Sequence, residues 1–326
     1  MGTSRPKHKI PGVLWAVFLL LLFLLFAGGC TSVTKEKQAS ESYSVTDDFG
    51  NVLRFSKKPE KIVGSTVSIE EVLLDLVPPQ RIAAVSEAMT DKEYSLALDK
   101  AQRVKGRMPN KPSVEAIAAL RPDLVFMQVR DHAAADTLTD MGIKVFRMDT
   151  PVSLAMVRKR IEAMGRAAGE PEKGAALLQE LDRKIAFVKK RTGGIPREQR
   201  KTVIAFSNMG ATGSSTGLFH QICEESGVIN GGAATGVLHS EKISDERIIA
   251  VNPDIFIVTD DGSENDYGHA IERRILEDEA LKNVKAVAEH RFIFLKNRYK
   301  YANSQYFGDA VMTIAKETYP DLFAGK

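Results

Sequence analysis

The sequence predicts an α/β protein of two lobes, each with a central, mostly parallel sheet, joined by one long rigid helix. A helix pattern of unusual length lies near the middle of the chain, and one segment occurs on both sides of it. Strand-like and helix-like patterns also alternate along both halves, which is typical of a parallel sheet covered by helices on its two faces. Together these features favour two similar units over one large domain.

The long helix pattern covers residues 171–191, with Pro171 at the first position, where a helix tolerates proline. Basic residues collect over 189–191, where the helix dipole favours cations. One face carries apolar side chains at helical spacing: Ala175, Leu178, Leu181, Ile185 and Val188. At about 1.5 Å per residue the helix spans roughly 30 Å, about the width of a small domain. We therefore expect a strut between the lobes.

The repeated segment occurs at residues 113–127 and again at 244–258, an offset of 131 residues without a gap. The two copies are identical at six of 15 positions. In each copy a serine precedes a short helix pattern, Pro-Asp ends the helix, and a β-rich run follows as a buried strand. Two copies are too few for a solenoid, so they indicate two lobes of one architecture. Chance similarity between two αβ units is the alternative.

The order of elements is similar in the two halves. A hairpin over 44–55 opens the first half, and a helix capped by Ser68 follows its first sheet strand. Predicted strands of that half lie at 61–64, 81–86, around Val104, 124–127 and 144–147. Strands of the second half lie at 201–207, 254–259 and 291–295, with helices over 217–225 and 304–318. The predicted domains are an N-terminal lobe over 44–170, a linking helix over 171–191 and a C-terminal lobe over 192–326.

The first 29 residues have the order of a secretory signal: basic residues, an apolar run over 13–27, and Gly28-Gly29 before Cys30. A cysteine directly after Ala-Gly-Gly resembles a bacterial lipobox, whose cysteine is diacylated and becomes the first residue; Ala27 stands where leucine is more usual. Residues 30–43 are mostly polar and would form a tether. The alternative is an uncleaved membrane anchor, but about 15 apolar residues are short for a spanning helix.

Removal of the signal changes the charge of the protein. The chain has 45 Lys and Arg and 42 Asp and Glu, and three of the basic residues lie in the signal, so the mature protein has 42 of each. A neutral protein gives no case for nucleic-acid binding. Only Cys223 remains besides Cys30, which excludes a disulfide framework, and the single tryptophan, Trp15, leaves with the signal.

The order of motifs resembles the helical-backbone substrate-binding lipoproteins of bacterial ABC importers, the periplasmic-binding family for iron siderophores, haem and cobalamin. The matching features are the lipobox, V-T-D-x-x-G at 45–50, K-P-x-K-I-V at 58–63, the long helix, and S-x-E-x-I with a following P-D at 113–123 and 244–254. The resemblance implies two α/β lobes with a ligand held in the cleft between them. It also implies a non-enzymatic receptor in the cell envelope, without an intrinsic cofactor, whose partner is a permease dimer with a cytoplasmic ATPase.

Two matched glutamates, Glu115 and Glu246, lie two residues after the serine of each copy. This spacing is not that of a capping box, and it leaves each carboxylate near the positive end of a helix dipole, free to point outward. The simpler interpretation is a pair of dipole-favoured first-turn residues. The resemblance implies instead that each glutamate, one per lobe, docks onto arginines of the permease.

The ligand cleft is expected at the carboxyl ends of the strands, where open α/β sheets bind ligands. Tyrosines there would stack on a large planar chelate, and arginines would meet carboxylate or catecholate oxygens through paired donors. The residues placed near the ligand are Thr66, Tyr94, Arg130, Asn208, Met209, Arg298, Tyr299 and Tyr301. An iron chelate, either a siderophore or haem, is the expected ligand, and cobalamin or another corrinoid is the alternative.

Two other signals point to different classes of protein. Gly213-x-Ser215-x-Gly217 matches the pattern of a hydrolase nucleophile elbow, although the preceding strand ends near Ser207, too early for a sharp strand-to-helix turn. An extracytoplasmic serine hydrolase is thus the less favoured alternative. The histidines of the mature chain show no close ligand pair, which disfavours a site for a free zinc or manganese ion.

Overall fold

Two five-stranded sheets, one in each half of the chain, are the framework of this computed structural model. The structure describes residues 1–2, 42–92, 94–129, 132–237, 241–260, 267–300 and 302–324. Contacts divide the chain into units 1–41 and 42–326, and both sheets belong to the second unit. The predicted signal, Cys30 and nearly all of the tether lie outside the described residues. Within the described ranges, no helix is both long and apolar enough to cross a membrane.

The N-terminal lobe is built on parallel strands. Its strands are β1 Tyr43–Thr46, β2 Val52–Phe55, β3 Ile62–Gly64, β4 Ile82–Ser86, β5 Arg107–Met108, β6 Leu124–Gln128 and β7 Val145–Met148. The sheet has the order β5-β4-β3-β6-β7 with all neighbours parallel, and β1 and β2 form the predicted antiparallel hairpin beside it. The central strands are continuous apolar runs because helices cover both faces of the sheet.

The C-terminal lobe repeats this plan. Its strands are β8 Thr202–Ser207, β9 Gly210–Thr212, β10 Ile229–Asn230, β11 Ile255–Asp260 and β12 Phe292–Lys296. The order β10-β8-β11-β12 is parallel throughout, and β9 folds back antiparallel onto β8. The prediction of two lobes with central, mostly parallel sheets is therefore confirmed.

Helices connect the strands and pack on both sheets. The N-terminal lobe has α1 Val67–Leu76, α2 Leu98–Ala101, α3 Val114–Ala119, α4 Ala133–Asp140 and α5 Leu154–Ala167. The long helix α6 runs over Pro171–Thr192. The C-terminal lobe has α7 Leu218–Ser226, α8 Gly231–Ala234, α9 Asp245–Val251, α10 Tyr267–Leu276, α11 Lys285–Ala288, α12 Asn297–Lys300, α13 Phe307–Thr318 and α14 Pro320–Phe323.

Helix α6 confirms the predicted strut, one residue longer at its C-terminus. Its buried face differs from the prediction at one end, because Gly174 is buried there and Ala175 is exposed. The cause is a close crossing with α5, where a Cβ atom at Gly174 would lie 3.3 Å from the Cα of Gly165. On its other side α6 packs against α13, and residues of both lobes join it in one hydrophobic cluster. The strut is thus part of a continuous core.

The sequence duplication extends to the backbone. Each copy forms a short helix followed by a strand, α3 with β6 and α9 with β11. Arg121 and Asn252 occupy matched positions, and both have left-handed backbone angles, with φ of 48° and 47°. The matched aspartates also act alike, because Asp123 accepts backbone hydrogen bonds from the two residues before β3 and Asp254 accepts one from the first residue of β8. Chance similarity does not explain this agreement.

Three predicted boundaries are wrong for identifiable reasons. Thr66, not Ser68, occupies the N-cap position of helix α1, and its side chain makes no capping hydrogen bond, while the Ser68 hydroxyl accepts from the buried Arg160. The strand expected around Val104 lies at β5, and Val104 itself is a core residue. The last long helix begins at Phe307 because the side chains of Ser304 and Gln305 bind the opposite lobe.

Candidate functional site

The carboxyl ends of the two parallel sheets meet at a junction between the lobes. Arg298, two residues after β12, reaches across this junction, and its Nη1 donates to the backbone carbonyls of Lys92 and Ser95 in the N-terminal lobe. Parallel α/β sheets bind ligands at this edge, beyond the ends of their strands. The candidate site is therefore the cleft edge around the contact made by Arg298.

The predicted residues of the N-terminal lobe lie at this edge where they are described. Thr66 is the N-cap of α1, two residues after β3, and its Oγ1 lies 3.3 Å from the Oγ of Ser68. Tyr94 precedes the Ser95 that Arg298 contacts, and 53% of its surface is exposed. Tyr94 is thus an exposed tyrosine next to an inter-lobe contact. Arg130 lies outside the described residues.

The predicted residues of the C-terminal lobe divide into two groups. Asn208 and Met209 form the turn between β8 and β9, and Met209 is 67% exposed. Arg298 and Tyr299 lie on α12, where the guanidinium carbon of Arg298 is 5.9 Å from the centroid of the Tyr299 ring. The Tyr299 ring also packs against the main hydrophobic cluster, and burial raises the pKa of its phenol. Among the described residues, no hydrogen bond joins the two groups, and Tyr301 lies outside the described part of the chain.

A buried arginine that the sequence prediction missed organises the N-terminal side of the edge. Arg160 of α5 is 3% exposed and donates to Ser68 Oγ at 3.2 Å. Its Nη2 donates to Gln128 Oε1 and to the Asp149 carbonyl oxygen, both at 2.9 Å. Burial lowers the pKa of Arg160 to about 10. The Arg160 side chain thus connects α1 to the ends of β6 and β7. Its position on the apolar face of α5 is the feature of the sequence that could have predicted a buried arginine.

A second missed cluster lies inside the junction. Glu71 of α1 is 4% exposed, and its Oε2 accepts from Ser304 Oγ at 2.7 Å, across the lobes. Gln305 Nε2 donates to the Glu71 carbonyl oxygen at 2.9 Å and to Asp75 Oδ2 at 2.8 Å. This contact could not be predicted from the sequence, because Glu71 lies within an apolar helix pattern and its partner Ser304 is 233 residues away.

The two matched glutamates have the same environment in both lobes. Glu115 and Glu246 are exposed second residues of α3 and α9. The pKa of Glu115 is lowered by hydrogen bonds from its own backbone N–H and from Ser113, and that of Glu246 is lowered by bonds from Ser244 and its own N–H. Each carboxylate is thus held ionised, exposed and close to the first turn of its helix.

Other possible sites have less support. A groove of about 400 Å³ lies on the outer edge of the N-terminal lobe, between β2 and β7, and contains none of the predicted ligand residues. Ser215 is exposed in the loop between β9 and α7, and within the described ranges no histidine or carboxylate is hydrogen-bonded to it. The same ranges contain no group of three His, Cys, Asp or Glu side chains arranged to hold a metal ion.

Comparison with protein families decides the class of the protein. A family model described as periplasmic binding protein matches residues 62–299, from β3 to α12. The chain belongs to the periplasmic binding protein family. The matched region includes both sheets, the long helix and both copies of the repeat, so the match covers the whole two-lobed framework and the candidate cleft edge.

One relative of this binding protein covers nearly its whole length, and another covers about half of it. It is 28% identical over 322 residues to the "Uncharacterized ABC transporter substrate-binding lipoprotein YvrC" of Bacillus subtilis, which covers 95% of this chain and 98% of that protein. It is 27% identical over 185 residues to the "Probable siderophore-binding lipoprotein YfiY" of the same organism, covering 54% and 55% of the two chains.

Solved structures share the fold. A periplasmic binding protein from Veillonella parvula has a TM-score of 0.70 at 20% identity, covering 86% of this chain and 98% of that one. The periplasmic heme-binding protein RhuT from Roseiflexus has a TM-score of 0.66 at 21% identity, covering 81% and 99%. At these identities the likeness shows the two-lobed fold with a linking helix, and the ligand must be argued from the site.

Proposed function

We propose that this protein is a receptor that captures an iron chelate, a siderophore or haem, in the cleft between its lobes and delivers it to an ABC permease. The observation that carries the proposal is the family match over residues 62–299, together with a near full-length relative named as an ABC transporter substrate-binding lipoprotein. The protein acts without chemistry of its own, and the chelate is cargo, so no intrinsic cofactor takes part.

The character of the cleft edge supports an anionic or partly aromatic chelate. Exposed Tyr94 offers a face for stacking, and Arg298 offers charge-assisted hydrogen bonds to carboxylate or catecholate oxygens. Arg130 and Tyr301 are proposed to contribute to the same site. A free divalent ion would need three or four convergent ligands, and the described residues bring no such set together. The names of a siderophore-binding relative and of heme-binding structures agree with this class of cargo.

Cobalamin or another corrinoid is the second candidate, because tyrosine and phenylalanine side chains could support a large macrocycle in place of tryptophan. An extracytoplasmic serine hydrolase is the weakest alternative, since Ser215 lies in a loop between β9 and α7 and has no base bonded to it within the described part of the chain.

Delivery to a permease is assigned to Glu115 and Glu246. Their matched positions, exposure and lowered pKa values make them a pair of fixed negative charges, one on each lobe. A protein with two similar lobes suits a partner with two similar subunits, and arginines on that partner would provide complementary charge. The partner is proposed to be a permease dimer with its cytoplasmic ATPase.

A lipid-anchored location in the cell envelope, facing the periplasm or the outer side of the cytoplasmic membrane, is proposed from the signal and from Cys30. Acylation of Cys30 with two or three chains would hold the protein stably, whereas one chain gives only marginal membrane binding. Labelled palmitate should appear on the wild-type protein and be absent from Cys30→Ala, which should be released or left uncut. Wild-type protein that never carries the label would contradict the lipid anchor.

The cargo can be identified from the protein as its native host makes it. Purification without chelators, followed by an absorption spectrum and mass spectrometry of the released small molecules, should give an iron chelate or a haem Soret band. A corrinoid spectrum would support the second candidate and contradict the first. Turnover of ester substrates that is lost in Ser215→Ala would overturn the receptor function itself.

A further inference from the structure

The carboxylate of Glu71 is the polar centre of the contact between the lobes. Its Oε2 accepts from Ser304 Oγ at 2.7 Å in the C-terminal lobe, and its Oε1 accepts from the backbone N–H of Leu96 at 3.1 Å in the N-terminal lobe. Leu96 belongs to the segment 94–97, which also carries Tyr94 and the Ser95 carbonyl that Arg298 binds. One buried side chain therefore connects α1, the opposite lobe and a segment of the candidate cleft.

Several charged or titratable groups face Glu71. Glu70 and Asp75 lie on the same helix, and Asp75 is paired with Lys100 of α2. Arg298 of α12 attracts the ionised carboxylate, while Asp75 repels it, and Tyr306 lies close enough to interact with both acids. No salt bridge joins Glu71 to a cation within the described residues, because Arg298 donates to backbone carbonyls instead. The ionised form of Glu71 thus lacks an ion-pair partner there.

We propose that Glu71 is a pH-responsive latch between the lobes, which holds the junction most tightly when its carboxyl group is protonated and loosens it on ionisation. The protonated group can donate from Oε2 to Ser304 Oγ and still accept from Leu96 N–H at Oε1, so both contacts survive. The ionised group keeps both contacts as an acceptor, but it must remain in a site that excludes water and provides no paired cation. Opening of the junction restores its hydration.

The pH range follows from the direction of the shift. Burial raises the pKa of Glu71 from 4.5 to about 7, although the bonds from Ser304 and Leu96 oppose that rise. A carboxyl whose pKa is raised in the closed state contributes stability below its ordinary pKa and loses that contribution as the pH rises through about 7. The junction should therefore weaken between about pH 4.5 and pH 7 and stay weak above this range.

The neighbouring acid provides a matched control. Glu70 is equally buried, and burial raises its pKa to about 7 as well. Its two oxygens accept from the backbone N–H and the hydroxyl of Ser86, both in its own lobe and both at 2.6 Å. Glu70 thus has a pKa raised like that of Glu71, but within the described residues its carboxylate makes no hydrogen bond across the junction. The latch is a property of the lobe contact and does not depend on which cargo the cleft takes.

Hydrogen exchange of the full-length protein in detergent tests the latch. The measured quantity is the amide exchange rate of peptides covering 302–306, in wild type and in Glu71→Gln at the same pH. The ratio of the two rates removes the intrinsic dependence of amide exchange on pH. Because glutamine mimics the protonated acid, the ratio of wild-type to Glu71→Gln rates should rise on the order of tenfold between about pH 5.5 and about pH 8.5. A ratio that does not change with pH, or an equal rise for Glu70→Gln, would overturn the proposal.

A second variant keeps the test decisive if Glu71→Gln folds poorly. Ser304→Ala removes a hydroxyl that lowers the pKa of Glu71. The midpoint of the pH-dependent exchange in the segment 94–97 should then move to higher pH. A midpoint that stays where it is in wild type would show that another group controls the junction.

Discussion

Arg298 is the residue at which the predicted ligand contact and the observed lobe contact coincide. Its Nη1 is engaged by two backbone carbonyls, whereas its Nε is buried without a hydrogen-bond partner among the described residues. A buried donor without a partner costs free energy. The sequence pointed to Arg298 through its position after a strand, but the contact with the other lobe depends on how the lobes pack.

Arg298→Ala should weaken binding of the cargo by about 2 kcal/mol, because a charge-assisted hydrogen bond contributes roughly 1.5–3 kcal/mol. Isothermal titration of the mature protein measures this change. Arg298→Lys is the matched control, and it should lose part of the affinity because it keeps the charge but not the planar set of donors. Unchanged affinity in Arg298→Ala would remove Arg298 from the ligand site.

Glu115→Ala and Glu246→Ala should leave ligand affinity nearly unchanged, impair uptake singly and abolish it together. Both side chains are exposed to solvent, so their removal should not destabilise the folded protein. Charge reversal to arginine should be worse, because like charges then face each other across the interface. Uptake of the labelled cargo by cells that lack the native protein is the measurement.

Glu172 provides the control for the docking variants. It is also an exposed second residue of a helix, at the start of α6, but it lies outside the repeat. Glu172→Ala should therefore transport normally. If Glu115→Ala or Glu246→Ala loses ligand binding instead of uptake, that glutamate lies in the cleft and the docking assignment fails.

At the scale of elements, the crossing of α5 and α6 determines how the strut is seated. The existence and ends of α6 were predictable from Pro171, the apolar spacing and the basic C-terminus. The choice of Gly174 over Ala175 as the buried position was not, because it depends on Gly165 of another helix. The periodicity of the sequence identifies the apolar face of α6. Which residues of that face lie closest to α5 depends on the sequence of α5 as well.

Gly174→Val should lower the free energy of unfolding by about 1–3 kcal/mol, because the added side chain would meet the backbone of α5. Urea denaturation followed by circular dichroism measures the change. Gly194→Ala is the control, since nothing lies within 4 Å of a Cβ atom there, and its midpoint should stay the same or rise slightly. A Gly174→Val protein as stable as wild type would show that the helices can separate without cost.

At the scale of the whole molecule, the repeat made the architecture predictable. Matching of residues 113–127 with 244–258 anticipated two lobes, and the left-handed angles at Arg121 and Asn252 show the same loop built twice. The junction could not be predicted in this way, because Glu71 and Ser304 have no matched counterparts in the repeat and meet only when the lobes pack. Local patterns therefore predicted each lobe, and the contacts between lobes needed the structure.

The most direct test of the central claim is an equilibrium titration of the mature protein with a panel of ferric siderophores, haem and cobalamin. Tyrosine fluorescence can report binding, because the proposed mature chain, which begins at Cys30, lacks Trp15, the single tryptophan of the sequence. A receptor for iron chelates should bind at least one ferric siderophore or haem with a dissociation constant of about 1 µM or lower, near −8 kcal/mol. Binding of cobalamin at that strength, with none of the iron chelates or haem bound, would contradict the proposed cargo.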